Sequence, residues 1–401
     1  MTYMDTKKLI SEAYLSDKND QKDKVIVGLN GGIDSLVTAY LLKIQKYDLI
    51  AVTVTNDFPT GGSKFLSCHL DQLKLDKIKA FCHQLSIPHQ VVKPVDEFQN
   101  DVIDPWIDSR MMGTNSSPCW SCHELRMKAL YQKMKSSGAK FIATGHYAKI
   151  FKHESQGSVF VHTSNDEKND QAPMLSRLPH EVLNCLMLPL SDLQKKEVIK
   201  LGENFGFVES ERNHLAEDCF NKEDLSEYLT KKIPPKYRPS GEVYFEPQDQ
   251  KILMHDGIHL HNYGSEVIDP DNKTAQGFVS KYILKEKKIL SNPVNYFKRQ
   301  RVILCDCHIS DETPWHDVMK GAVIFPDGTQ KECWVRPKAL KRAIVEWDGE
   351  EPVLEGTILS ITRKTGKNAK VYLTGRVLYL KEKVEAAGDD NVQKIDYARD
   401  F

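Results

Sequence analysis

At 401 residues the chain is long enough for two or three domains of about 150 residues, each with its own apolar core. Hydrophobic residues make up 40% and charged residues 28% of it, which excludes a largely disordered or collagen-like chain. Lysine plus arginine (55) nearly balances aspartate plus glutamate (56), so contact with nucleic acid has to come from local basic patches. No apolar run approaches the roughly 18 residues that span a bilayer, and Met1 to Asp23 is too charged for a secretory signal. The expectation is a cytoplasmic protein with no membrane contact.

The run Val25-Ile-Val-Gly-Leu-Asn30 predicts a buried parallel strand, and the apolar spacing from Ile33 to Leu42 predicts a helix after two glycines. Leu49 to Thr55 reads as a second strand, Leu70 to Leu85 as a helix and His89 to Val92 as a third strand. A segment rich in tryptophan, proline and serine (104–121) separates these from a helix over His123 to Ser136 and a strand-to-loop transition at Phe141 to His146. This alternation over Lys24 to Ile150 implies an α/β domain with a doubly wound parallel sheet and a ligand site at the carboxyl ends of its strands. Leu175 to Phe207 has helical spacing, interrupted by Pro189. Asn221 to Ile233 reads as a short helix, followed by a proline-interrupted linker at Pro234 to Pro239. Beyond residue 291, short β-type runs at Val302, Ala322, Ala343, Thr357 and Lys370 predict a small C-terminal β-barrel. The expected division is 1–213, 214–290 for a small central RNA-binding or linker domain, and 291–401 for the barrel with its tail.

Asn30-Gly31-Gly32-Ile33-Asp34-Ser35 stands where the first strand becomes a helix. Glycines there let backbone N–H groups approach phosphate oxygens, and the helix N-terminus favours negative charge. Asp34 is then placed to hold Mg²⁺ and Ser35 to donate to a phosphate oxygen, although Gly-Gly also occurs in ordinary strand-to-helix turns. The nine cysteines form no disulfide framework, because their number is odd and the expected compartment is reducing. Cys119 and Cys122 make a C-x-x-C, Cys305 and Cys307 a C-x-C, and Cys68, Cys82, Cys185 and Cys333 stand alone as expected small buried hydrophobes.

The loop resembles the S-G-G-x-D-S pyrophosphate loop of N-type ATP pyrophosphatases, with Asn30 in place of the first serine. Further segments resemble the tRNA-specific 2-thiouridylase family in the family's own order. Ser117-Pro118-Cys119-Trp-Ser-Cys122-His-Glu-Leu-Arg-Met-Lys-Ala129 is similar to N-P-D-x-x-C-N-x-x-I-K-F, and Phe141-Ile-Ala-Thr-Gly-His-Tyr147 to A-T-G-H-Y. Asn169 to Leu175 matches D-Q-S-Y-F-L. Leu188-Pro-Leu with Lys196-Glu-Val198 matches F-P-L-G followed by K-x-E-V-R. Glu217-Asp-Cys-Phe220 matches T-G-I-C-F, and His255 to Gly264 matches H-x-G-x-x-x-x-T-I-G.

The resemblance implies a tRNA sulfurtransferase that adenylates a uridine with ATP and Mg²⁺ and replaces its 2-oxygen by sulfur, most naturally at the wobble position. It implies ATP contacts at Gly28, Leu29, Asn30, Gly31, Gly32, Ile33, Asp34 and Ser35, with Val54 against the adenine and Gly145 packed on the nucleotide. Cys122 corresponds to the catalytic nucleophile and Cys219 to the sulfur carrier, a pairing suited to thiolate chemistry at an activated carbon. Ser117, Pro118, His146, Asp170, Gln171 and, in the barrel, Arg336 correspond to residues near the tRNA. Cys119 stands where many members have aspartate. With Cys122 and Cys219 it gives three thiols suited to a [4Fe–4S] cluster, with zinc as the rival metal if a histidine such as His123 or His214 joins.

The partners implied are tRNA and a sulfur donor, while oligomeric state is not legible. Basic stretches at Lys231–Arg238, Lys281–Lys288 and Trp334–Arg342 offer phosphate contacts. Two other readings remain open at this point. One is a paralogue that thiolates another base or RNA; the other is an RNA-binding scaffold that has lost ATP turnover, suggested by Asn30.

Overall fold

The computed structural model describes residues 23–55, 72–111, 117–152, 158–204, 222–269, 275–309, 318–354, 356–367 and 369–378. Cys68, His214 and Cys219 lie outside them.

The first sheet is fully parallel. Its strands are β1 (Lys24–Gly28), β2 (Asp48–Val54), β3 (His89–Val92), β4 (Phe141–Ala143) and a two-residue strand Leu186–Met187, in the order β3-β2-β1-β4 with Leu186–Met187 outside β4. Helices α1 (Ile33–Ile44), α2 (Gln72–Gln84) and α3 (Cys119–Ser137) connect and cover it. Val25, Ile26 and Val27 are all fully buried, because a strand covered by helices on both faces has no wet side. The chain leaves β1 toward β2 on one side and returns at β4 on the other. The crevice between the ends of β1 and β4 is therefore the topological switch point of a doubly wound sheet.

Three local readings change. The stretch 175–207 is not continuously helical over its described residues: the short helix Ala172–Leu175 ends at the stretch's first residue, and a short helix at His180–Asn184, the strand Leu186–Met187 and α4 (Lys195–Asn204) follow. Its apolar spacing belongs to a buried edge of the parallel sheet, and periodicity cannot separate a short buried strand from a buried helix. The segment beginning at 104 holds a helix, Asp104–Met111, whose Trp106 and Arg110 are buried. Finally, Lys149–Lys152, the close of the expected α/β alternation, leaves the parallel sheet to pair with Val159–His162 as a hairpin.

Helix α5 (Lys222–Lys232) leads into a second sheet of five strands, β5 (Gly241–Phe245), β6 (Gln250–His255), β7 (Glu266–Ile268), β8 (Ala275–Ile283) and β9 (Lys288–Asn292), ordered β7-β8-β9-β5-β6. Local patterning carries no strand signal there beyond the family motif at His255 to Gly264. The third sheet closes into the expected barrel of six strands, β10 (Lys298–Ile309), β11 (Met319–Ile324), β12 (Gln330–Lys338), β13 (Arg342–Pro352), β14 (Ile358–Thr362) and β15 (Lys370–Leu378), with β10 pairing both β13 and β15. β12 was legible only as a basic stretch, because its inward Cys333 and Val335 alternate with lysine, glutamate, tryptophan and arginine.

The hairpin 149–162 extends the barrel sheet through Lys370 opposite His162 and Val371 opposite Val161. The Ser176 hydroxyl lies 2.7 Å from Thr374 Oγ1, which is itself 3.0 Å from Ser360 Oγ. The barrel is thus joined to the first sheet's region by a ladder and a buried hydroxyl chain. Among the described residues no helix is long and apolar enough to cross a membrane.

Ile142 is fully buried in β4 between β1 and Leu186–Met187. Ile142→Ala is expected to lower unfolding free energy by about 2–5 kcal/mol through lost burial and a residual cavity, measured by urea denaturation.

Candidate active site

Two loops meet in the crevice. The first leaves β1 through Leu29 and Asn30, takes a left-handed turn at Gly31 (φ 81°), and enters α1 at Ile33. Gly32, the residue before the helix, is extended and makes no side-chain cap, so the first-turn amides are oriented for an anion. Asn30 folds back into this loop. Its Oδ1 accepts the Gly32 N–H at 3.0 Å and lies 2.8 Å from Ser35 Oγ, which is also 2.9 Å from the Gly32 carbonyl. A short polar side chain closing its own turn in this way rigidifies the loop, so the asparagine preserves a closed phosphate-type turn.

The second loop, Thr144-Gly145-His146, leaves β4 and crosses directly over Asp34. A Cβ placed on Gly145 would lie 2.8 Å from the Asp34 carbonyl carbon and 2.9 Å from its oxygen. Only hydrogen fits there. Tyr147 then donates its hydroxyl to Asp34 Oδ1 at 2.7 Å, and Lys195 Nζ, from α4, donates to both carboxylate oxygens at 2.9 and 2.8 Å. Gln171 secures Tyr147 from behind: its Oε1 accepts the Tyr147 N–H at 3.1 Å, and its own N–H donates to the Tyr147 carbonyl at 2.8 Å. Asp170 also points inward, accepting the Ser164 N–H at 2.6 Å, and burial pushes its carboxyl up to about 6. Lys195, Tyr147 and Thr144 carry roles that sequence reasoning did not assign, although all three lie within or beside the matched segments.

The thiols approach from α3. Cys122 Nα donates to the Pro118 carbonyl at 2.9 Å, and the Cys119 N–H donates to Ser117 Oγ at 3.2 Å, so Ser117 and Pro118 build the first turn that presents both cysteines. Three residues apart, they share one face of the helix. Cys119 is half-buried. Cys122 is buried in an apolar cluster with Phe98, Val102, Trp106 and Leu125. Tyr228 and Leu229 of α5 complete that cluster, and α5 begins three residues after Cys219.

His123, next along α3, packs edge-on against His146 with ring centroids 5.0 Å apart. His146 Nδ1 lies 2.8 Å from Thr144 Oγ1. Burial pushes His146 down to about 4, against the pull of the Asp34 charge. Burial, followed by the charges of His146 and Arg126, holds His123 well below the ordinary range. Both imidazoles are therefore neutral at pH 7.

Val54 ends β2, 9% exposed, in one apolar cluster, while Leu29 and Ile33 are buried in two others. A Cβ on Gly28 would come to 3.0 Å from Leu130 Cδ1 of α3. Arg336 is on the barrel, exposed and 3.1 Å from Glu346, apart from the crevice residues. Among the described residues no group of three or more histidine, cysteine or acidic side chains is positioned to hold a metal.

The profile of the tRNA methyl transferase HUP domain family matches residues 23–223, half of the chain and the whole of this crevice. The tRNA-specific 2-thiouridylase MnmA of Clostridium perfringens is 31% identical over 252 residues, which cover 61% of this chain and 67% of that protein. The chain belongs to the tRNA-specific 2-thiouridylase family. The MnmA of Desulfitobacterium hafniense is 29% identical over 247 residues, 61% of this chain and 66% of the relative, so the chain spans about two thirds of the length of these relatives. Among solved structures, the U34-tRNA thiolase NcsA from Methanococcus maripaludis with its [4Fe-4S] cluster aligns over 58% of this chain and 74% of that one, at 22% identity and a TM-score of 0.34. That likeness is too low to bear on the chemistry of this 2-thiouridylase relative.

Gly145→Ala is expected to push the two loops apart and lower ATP affinity by about tenfold or more, since a Cβ inside van der Waals distance of backbone forces movement; isothermal titration with ATP reads it. Acid should also weaken the fold. His146, His259 and His261 are each pushed down to about 4 from 6.5 by burial first. The unfolded chain takes up their protons earlier, so stability present above pH 6.5 is lost as pH falls toward 4. Asp170, raised to about 6, acts in the opposite sense over part of this window. Urea midpoints should therefore fall between pH 7 and pH 5, and fall less for His146→Gln.

Proposed function

We propose that the protein is an ATP-dependent tRNA sulfurtransferase of the cytoplasm that forms 2-thiouridine at the wobble position. The observation that carries this is the meeting of the thiol helix and the phosphate loop: His123, adjacent to Cys122, contacts His146, while Gly145 of the same loop rests on Asp34.

The Gly31 amide and the start of α1 receive the phosphates of ATP, while the Gly32 amide stays with Asn30 Oδ1. Asp34 would hold Mg²⁺, which supplies charge neutralisation on the pyrophosphate. Lys195, now on the Asp34 carboxylate, is then within reach of the phosphates as a second positive charge. The uracil O2 attacks the α-phosphorus, the bond to the β-phosphate oxygen breaks, and pyrophosphate leaves. A sulfur nucleophile then adds at the activated C2, and the C2–O bond breaks to release AMP with the former uracil oxygen. His146 and His123, neutral and water-poor, surround the path between phosphate and thiol and limit hydrolysis of the adenylate.

A helix face carrying Cys119 and Cys122, with Cys219 preceding α5 of the same cluster, suits the soft donor set of an iron–sulfur centre. These three cysteines would hold a [4Fe–4S] cluster, which supplies an open iron for hydrosulfide. The target uridine has to leave its stack to reach a buried thiol. The closed Asn30 turn favours retained ATP turnover over a scaffold role.

Incubation of unmodified tRNA with ATP and sulfide, followed by nucleoside mass spectrometry and pyrophosphate assay, tests the reading. 2-Thiouridine and pyrophosphate are expected from the parent protein. Cys122→Ser should lose thiolation by at least about a hundredfold, as expected when a nucleophilic or ligating thiol is removed. A different thionucleoside would identify another target base. Anaerobic purification should yield a brown protein with about four irons per chain, lost in Cys119→Ala; a colourless, metal-free protein that still transfers sulfur excludes the cluster.

A further inference from the structure

The run His255 to Gly264 contains a one-turn 3₁₀ helix, Ile258–Leu260, which packs against both the helix Asp104–Met111 and α5. Leu260 also packs on the apolar cluster that encloses Cys122. This turn is therefore the seam between the first sheet's region and the central sheet, immediately behind the thiol. Arg110, only 3% exposed, is pinned in the seam: its Nε donates to the His259 carbonyl at 3.0 Å and its Nη1 donates to Asn262 Oδ1.

His259 is 1% exposed, and its Nε2 has no hydrogen-bond partner among the described residues. Arg238 Nε is buried in the same condition, although the residue as a whole is only half-buried. The formal charges that bear on the His259 ring are the guanidinium groups of Arg238 and then Arg110, while His261 and His255 are held neutral by burial with the Asp256 carboxylate acting on both. His255 is already satisfied, with Nδ1 accepting the Gly257 N–H at 3.1 Å and Nε2 2.9 Å from the Lys287 carbonyl. The buried polar atoms left without a partner here are thus His259 Nε2 and Arg238 Nε. Outward from them the chain presents Lys236, whose ammonium is 4.6 Å from the centre of the Tyr237 ring, and that ring is 53% exposed.

Two guanidinium groups around an unpartnered buried imidazole form a site of focused positive potential, and such a site is completed by an anion. An exposed aromatic ring beside cations is the surface that a nucleic-acid backbone with unstacked bases occupies. We propose that this seam docks one phosphate of the RNA backbone, with Arg238 making the contact, Lys236 flanking it and Arg110 supplying a second, buried charge. The inference rests on the tRNA reading above and adds to it where the RNA is held. Anchoring a phosphate directly behind the Cys122 cluster fixes the register of the strand, so that a flipped nucleotide arrives at the thiol; phosphate contacts position and do not read sequence.

Fluorescence anisotropy of the full-length protein with a labelled, unmodified tRNA transcript, across a salt series, tests it. Arg238→Ala should reduce the slope of log affinity against log salt by about 1, and weaken binding about eightfold near 0.1 M salt, the effect of one lost phosphate contact. The loss should be equal on transcripts of different sequence. Arg238→Lys should retain most of the affinity, and Lys79→Ala, on α2 beside Asp76, should match the parent. Melting temperatures of the variants in the absence of RNA should equal that of the parent. If the parent binds tRNA and Arg238→Ala binds with the same affinity and slope, the docking site is overturned while the thiouridylase reading stands. A parent that binds no tRNA overturns both. Inorganic phosphate that raises the melting temperature of the parent but not of Arg238→Ala, with an unchanged tRNA slope, assigns the site to free phosphate and overturns the RNA assignment.

Discussion

The site depends on one close approach, that of Gly145 to the backbone of Asp34. Strands β1 and β4 are neighbours in the sheet, so the loops leaving them emerge side by side and have to cross. A hydrogen at Gly145 lets them cross in contact, and that contact brings Tyr147 within hydrogen-bonding distance of the Asp34 carboxylate. Gln171 fixes Tyr147, and Lys195 covers the other side of the same carboxylate. Remote segments of the chain thereby converge on one acidic side chain at the head of α1. This order of assembly explains why a glycine, a tyrosine and a lysine from segments remote from the loop gather beside the Asp34 carboxylate.

Around that point the electrostatics are divided. Asp34 and Lys195 are paired and partly exposed, so neither charge is buried without a partner. His123 and His146, by contrast, are held neutral by burial, with the Arg126 guanidinium acting on the first and the Asp34 carboxylate on the second. The apolar cluster around Cys122 continues that environment to the helix that follows Cys219.

Distances along the chain are bridged by small structural devices. The hairpin 149–162 leaves the α/β region to extend the barrel, and the turn Ile258–Leu260 is wedged between two helices that flank the thiol. Each device joins a segment whose sequence carries chemistry to one whose sequence carries shape.

The sequence by itself determined the alternation of β1, α1, β2, α2 and β3, because helical and strand periodicities differ and glycines mark the turn between them. It also determined the phosphate loop and the C-x-x-C, whose residues are adjacent in the chain, and a barrel built from strands with clear apolar runs. The strand Leu186–Met187 was hidden because two buried residues have no period. The central sheet was hidden because its strands are short, charged on one face and punctuated by lysine-rich turns. Only the tertiary structure decided that Asn30 folds back to close its own loop, that Lys195 and Tyr147 attend Asp34, and that Asp170 and Gln171 point inward. The Asp34 contacts depend on which loops cross at the switch point, and that crossing relates residues more than a hundred positions apart, which local composition does not encode.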